Sequence, residues 1–164
     1  MKNWKFQQSI ENKRSEKGFS RFDGKLGFPG GLVDDGEDTE TGLRRELKEE
    51  LNLDIEISKT DWVTAHHVPS NNIVCHLYCK EVKEEQFIEM EKASLDAIEF
   101  GVEMLGNIRV PLYTYTAENG SLKGFPQFLK NNFCGSARVQ LLECLKLKNV
   151  LTEEEIRCAL DALV

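Results

Sequence analysis

No run of about 18 or more consecutive apolar residues occurs in this 164-residue chain, so no segment reads as a membrane-spanning helix. The opening residues, MKNWKFQQSIENKRSEKG, lack the apolar core of a secretory signal, and the chain carries neither an internal repeat nor a low-complexity tract. A disulfide framework is not indicated. The five cysteines are odd in number and scattered, which fits a reducing intracellular setting. Cys75 and Cys79 flank His76, but CHLYC falls in an alternating stretch that reads as a strand, which argues against a zinc site. Excess positive charge is missing as well: the net charge is −7, which argues against broad affinity for nucleic acid through phosphate neutralisation. The charge is unevenly spread. Residues 1–30 hold seven Lys or Arg against three acids, a balance of +4 that leaves −11 for the rest. A basic lip beside an acidic site would suit a polyanion held by bridging cations; for Lys2 to Lys17 the preferred reading is a solvated tail. With 40% hydrophobic and 30% charged residues, the chain is otherwise ordinary for one globular domain with a sizeable core.

What is present concentrates between Gly31 and Leu53, GLVDDGEDTETGLRRELKEELNL. Leu43, Leu47 and Leu51 recur every four residues and form one apolar stripe of a helix. Asp38 or Thr39 can cap its start, and Asn52 suits a left-handed end. Glu46, Glu49 and Glu50 fall at i, i+3 and i+4, which places three carboxylates on a neighbouring face. Like charges at that spacing cost a few tenths of a kcal/mol per pair, about the worth of a surface ion pair. Divalent cations between the carboxylates would cancel that repulsion, and hard oxygen ligands suit magnesium or manganese. An exposed amphipathic helix is the ordinary reading of such a segment. The wider spacing argues against it.

Along the rest of the chain, Met1 to Ser20 show no strand signal beyond Trp4-Lys5-Phe6. RFDGKLGFPGG, from Arg21, contains a turn at Gly24, a short strand at Leu26-Gly27-Phe28 and a Pro-Gly-Gly run able to approach a ligand. Leu53 to Ser58 alternates as a half-buried strand; Asp61 to Val68 and Asn72 to Val82 read as two more. Lys83 to Ala93, Phe125 to Asn132 and Ser136 to Lys148 read as helices, the last periodic through Val139, Leu141, Leu142, Leu145 and Leu147. A final helix, Thr152 to Leu163, opens with a Thr-x-x-Glu capping box. The class is α+β, a mixed sheet with helices packed against it.

Gly31, Glu37, Arg45-Glu46-Leu47, Glu49-Glu50 and Leu53 stand at the spacing G-x5-E-x7-R-E-U-x-E-E-x-G-U, where U is a bulky aliphatic residue. This pattern is similar to the signature of the Nudix hydrolases. Its one departure is Asn52 at the last glycine, a mild change because Asn tolerates the left-handed conformation. RFDGKLGFPGG, TDWVTAHH, VCHLYCK, EMLGNIRVPLYT, GFPQFLKNNF and GSARVQLLE further resemble the branch of that family that decaps small nucleolar RNA and hydrolyses inosine diphosphate. That branch includes a catalytically inactive relative that binds a Tudor protein of DNA repair. The resemblance covers about residues 21 to 147.

The resemblance implies a mixed β-sheet sandwiched between α-helices and a Mg²⁺ or Mn²⁺ cofactor. Glu46 and Glu50 match metal-binding glutamates, with Glu49 a further ligand or general base, and the backbone carbonyl of Gly30 matches a metal ligand. Arg45 would pair with Glu37 and orient the glutamate face. Glu99 stands where an acid lies near the metals and is a candidate general base. Arg21 and Phe28 match substrate contacts, as do His66 and Gln140; by themselves His66 could be a solvent-facing strand residue and Gln140 a surface one. The implied substrates are capped RNA and deaminated purine diphosphates, in nucleus, nucleolus and cytoplasm, with a homodimer as the implied assembly. ADP-ribose, NAD or FAD would present the same diphosphate to the same residues, and a non-hydrolysing partner protein is the other alternative. The family places strands and a purine-contacting histidine ahead of the RFDG segment. Residues 1–20 contain no histidine and no pair of strand signals. The expectation is therefore an N-terminally shortened domain, residues 21–164, behind a divergent or disordered tail, with base selectivity affected.

Overall fold

A computed structural model describes residues 3–12, 24–70 and 72–163. The chain divides into two compact units, one formed by the described parts of residues 1–23 and 27–107, the other by residues 24–26 and the described part of 108–164.

In the first unit, helix α1 (Thr39–Leu51) is set by its ends. The Asp38 carboxylate accepts from the Thr41 amide and caps the N-terminus, and Asn52 closes the C-terminus at φ 52°, donating its amide to the Leu47 and Lys48 carbonyls. Leu43, Leu47 and Leu51 are fully buried, together with Leu53, Ile57, Tyr78, Met90 and Met104. Burying each leucine contributes about 2 kcal/mol. Repulsion among its glutamates, at a few tenths per pair, cannot compete with that.

The strands β1 (Asn3–Asn12), β2 (Trp62–Val68) and β3 (Ile73–Val82) form an antiparallel sheet in the order β1-β3-β2. The central strand β3 is buried continuously from Leu77 to Cys79. Residues 3–12, whose weak pattern reads as tail, thus form a strand far longer than the Trp4-Lys5-Phe6 signal. Its ten residues pair with β3 from Asn3 opposite Val82 to Asn12 opposite Ile73, through backbone bonds that side-chain alternation does not reveal. Leu53 to Ser58 alternates in burial but joins no ladder among the described residues: Leu53 and Ile57 enter the core while Asp54 and Glu56 face solvent. Helix α2 (Glu84–Ala93) follows β3. The Tyr78 hydroxyl ties β3 to the start of α1 through Thr39 at 2.8 Å and Glu40 at 3.0 Å. Burial pushes that phenol up to about 12, with the Thr39 bond opposing and Glu40 adding to the shift.

The second unit holds a hairpin of β4 (Thr114–Thr116) and β5 (Leu122–Gly124), the short helix α3 (Phe125–Phe128), and helices α4 (Ala137–Leu147) and α5 (Glu153–Asp161). Leu26 makes a parallel bridge to Phe133, so the expected strand at 26–28 is reduced to one rung. The buried face of α4 runs through Ala137, Gln140, Leu141, Cys144 and Leu145, whereas Val139 and Leu147 are exposed. The Thr152 capping box to Glu155 opens α5. The architecture is α+β. Among the described residues both sheets are antiparallel, and the parallel pairings are the isolated bridges Leu26–Phe133 and Phe100–Met104.

Candidate active site

The charged face of α1 is organised by one cation. Arg45 donates from Nε to Glu37 Oε1 at 3.2 Å and from one terminal nitrogen to Glu46 Oε1 at 2.8 Å and Glu49 Oε2 at 3.3 Å. Its other terminal nitrogen donates to the Leu32 carbonyl at 2.9 Å and Glu37 Oε2 at 3.3 Å. Asp34 stands 3.7 Å from the same nitrogen. Desolvation works against the charge on Arg45, but the bonds to Glu37 and Glu46 outweigh it and hold the guanidinium above its ordinary pKa. The hydrogen bond from Arg45 holds the Glu37 carboxyl below the usual carboxylate range, against partial burial and with help from the Asp34 amide. The residue therefore locks the loop before the helix onto three acids, Glu37, Glu46 and Glu49.

Gly31 explains why this loop begins with a glycine. A Cβ there would fall within 2.6 Å of Glu46 Oε2, so a side chain would evict the Glu46 carboxylate. The adjacent Gly30 amide donates to Glu50 Oε2 at 2.7 Å, and Glu50 is only 1% exposed. Its carboxylate belongs to a second acidic group. Ligand atoms of Glu50, Glu99 and Glu103 all lie within 4.8 Å of one another. Glu99 comes from the turn after the 3-10 segment Ser94–Asp96, and its amide donates to the Glu49 carbonyl at 3.2 Å. The Glu99 carbonyl accepts from the amides of Val102, Glu103 and Met104, which coils the segment and brings Glu103 alongside. These donors are hard carboxylate oxygens, the set that suits Mg²⁺ or Mn²⁺ and not a thiophilic ion.

The structure thus divides the three glutamates that helical spacing placed on one face. Glu46 and Glu49 turn to Arg45; Glu50 turns inward to Gly30, Glu99 and Glu103. Spacing at i, i+3 and i+4 aligns Cα positions, but the carboxylates follow the nearest positive charge and the nearest amide. Glu103 was not singled out from sequence, and its one faint signal is that it lies four residues after Glu99. Phe28 is half-buried in the first unit, and His66 is half-buried on β2 opposite Cys75. Gln140 lies on α4 in the second unit and is fully buried, contrary to the surface placement that its helix alone suggests. Arg21 lies outside the described residues.

Among the described residues no helix is long and apolar enough to cross a membrane. Residues 4–151 match the family model described as Nudt16-like, U8 snoRNA-decapping enzyme-like. The chain is 41% identical to the U8 snoRNA-decapping enzyme of Xenopus laevis over 147 residues, 87% of this chain and 68% of that protein. Against the protein of the same name from Homalodisca vitripennis, identity is 47% over 112 residues, 66% of this chain and 58% of the other. It is also 40% identical to the Tudor-interacting repair regulator protein of Homo sapiens over 144 residues, 87% of this chain and 66% of that one. The chain spans about two thirds or less of the length of these relatives. With its glycine-bounded loop, its arginine-locked acidic helix and this match over most of its length, the chain belongs to the Nudt16-like, U8 snoRNA-decapping enzyme-like family of Nudix hydrolases.

Proposed function

We propose that this chain hydrolyses a nucleoside diphosphate linkage with the help of Mg²⁺ or Mn²⁺, taking the 5′ cap of small nucleolar or messenger RNA and deaminated purine diphosphates such as inosine diphosphate. The observation that carries the reading is the buried Glu50 carboxylate, held by the Gly30 amide and gathered with Glu99 and Glu103 beside the Arg45-locked face. Divalent ions bound by such a carboxylate set would neutralise the diphosphate and lower the pKa of an attacking water.

The chain's own residues prepare that chemistry. Glu50, Glu99 and Glu103 would hold the ions. Arg45, anchored by Glu37, positions Glu46 and Glu49. Glu49, the more exposed of that pair, is placed to accept a proton from water as general base. Glu99 is the alternative base, although its place with Glu50 and Glu103 favours metal binding for it. The Gly30 carbonyl is proposed as a further ligand, and Arg21, Phe28, His66 and Gln140 as substrate contacts. The reaction adds water across a P–O–P bond; it releases methylguanosine diphosphate and a 5′-monophosphate end from capped RNA, or nucleoside monophosphate and phosphate from inosine diphosphate. The proposed domain of residues 21–164 would extend to take in β1 as its N-terminal strand, and the proposed substrates would have it work in nucleus, nucleolus and cytoplasm.

The likeness to the Tudor-interacting protein supports a second reading, a partner-binding chain without turnover. One panel separates the two: inosine diphosphate, capped RNA, ADP-ribose and NAD-capped RNA, each with Mg²⁺ and with Mn²⁺, with products resolved by mass. The hydrolase reading expects metal-dependent cleavage that Glu50→Gln lowers by two orders of magnitude or more, roughly 3 kcal/mol at the transition state. Full activity of Glu50→Gln in manganese would remove this site from the reaction. RNA binding with no product under any metal would establish the second reading.

A further inference from the structure

We propose that the second unit carries a binding site for single-stranded RNA, in the groove between the β4–β5 hairpin and the residues that follow α3. The inference deepens the decapping reading by giving the RNA body a site of its own. The groove measures about 480 Å³. Tyr113 and Tyr115 stand two residues apart on an extended segment, so both rings lie on one side of it. Their centroids are 6.2 Å apart with 26° between the planes, and the two residues are 61% and 54% exposed. A pair of tyrosines left stacked in water offers outer faces to further planar groups, and every nucleobase has such a face.

The platform is built, not accidental. Gly124 adopts φ 80°, and a Cβ at that position would collide with the Tyr113 carbonyl and come within 2.9 Å of Tyr113 Cδ2. Only glycine permits that approach. The Phe125 amide fixes the same carbonyl with a 2.8 Å bond. Lys123 sits directly opposite Tyr115 in the hairpin, and Lys130 lines the groove after α3. Among the described residues neither lysine pairs with an acid, and the lining includes no carboxylate. In a chain of net charge −7, this is a local reversal of sign beside a stacking surface. Cations to follow a phosphodiester backbone and aromatic faces to take successive bases are the two components of single-strand recognition.

The test uses the full chain and a fluorescent oligouridylate of roughly twelve nucleotides with a 5′-hydroxyl end, which offers no diphosphate to cleave. Anisotropy titrations should show binding that the Tyr113→Ala, Tyr115→Ala double variant weakens by at least about tenfold, the scale of losing base stacking. Tyr113→Phe with Tyr115→Phe should keep the affinity, since the rings and not the hydroxyls act. Lys123→Glu should weaken binding and flatten its dependence on salt. Inosine diphosphate hydrolysis serves as the fold control and should not change in any of these variants. No binding by the unsubstituted chain, or binding by the alanine variant within about twofold of it, overturns the proposal. So does a sedimentation experiment in which the alanine variant loses a self-association and keeps its RNA affinity, because the groove would then be occupied by a second copy. Failure of the hydrolase reading would appear separately, as loss of turnover with RNA binding intact.

Discussion

Replacing Arg45 with methionine removes a side chain that ties the loop to the acidic face, and its cost can be worked from the contacts. Five hydrogen bonds disappear: two to Glu37, one each to Glu46 and Glu49, and one to the Leu32 carbonyl. A buried charge-assisted bond contributes about 1.5–3 kcal/mol, and one guanidinium cannot realise that value five times over. Arg45 is 29% exposed, so screening reduces the electrostatic part further. In addition, Glu37, Glu46 and Glu49 lose the guanidinium they share, and the repulsion among them adds to the loss. The balance is a loss of about 3 kcal/mol, or a fall of roughly 1.5 M in the urea midpoint at a slope near 2 kcal/mol/M. The pH dependence is the sharper readout. Because the folded Glu37 carboxyl titrates below its ordinary 4.5, the Arg45–Glu37 pair adds its stability in full above about pH 4.5. That contribution is lost as pH falls through the depressed folded value, so Arg45→Met should flatten the acid limb of the stability curve. A loss below about 0.5 kcal/mol, with the acid limb unchanged, would refute the argument that Arg45 organises this face.

Gly31→Ala should cost about 1–2 kcal/mol by driving the Glu46 carboxylate off Arg45, and adding Glu46→Ala should recover part of it; strict additivity in urea titrations would contradict the clash. Asn52→Ala should lose about 1 kcal/mol because alanine resists φ 52°, while Asn52→Gly should match or exceed the unsubstituted chain in the same assay. Glu103→Ala should weaken Mn²⁺ binding by about tenfold or more, the lower bound of what support around a metal is worth; an unchanged paramagnetic-resonance titration would exclude Glu103 from the site.

The parts of this protein that local chemistry decides were legible beforehand. Asp38 and Asn52 bound α1 because one offers a carboxylate to an exposed amide and the other accepts a left-handed backbone. Thr152 and Glu155 set the start of α5 by reciprocal bonds. The leucine stripe of α1 was readable because its period is that of the helix. Hydropathy misled on α4, where Val139 and Leu147 are exposed while Gln140 and Cys144 are buried: which side of a helix is covered depends on neighbours that are remote in sequence. The same limit hid β1, whose ladder is written in backbone atoms, and kept Leu53 to Ser58 from being recognised as a segment that, among the described residues, joins no ladder. Carboxylate directions were beyond a periodicity argument, since they depend on where Arg45 and the Gly30 amide stand. Glu103 could join Glu50 only after residues 97–104 had curled back, and no spacing rule announces a turn of that kind.

That curl has a mechanical consequence. Glu99 is fastened at its amide to the last turn of α1, and five residues later Met104 is sunk among the helix's leucines. Two acids of the cluster therefore ride on a short clip, one foot hydrogen-bonded to Glu50's own helix and the other planted in the hydrophobic bed beneath it. Moving them apart means lifting a methionine out of that bed, so the spacing of these charges is kept by grease as much as by electrostatics.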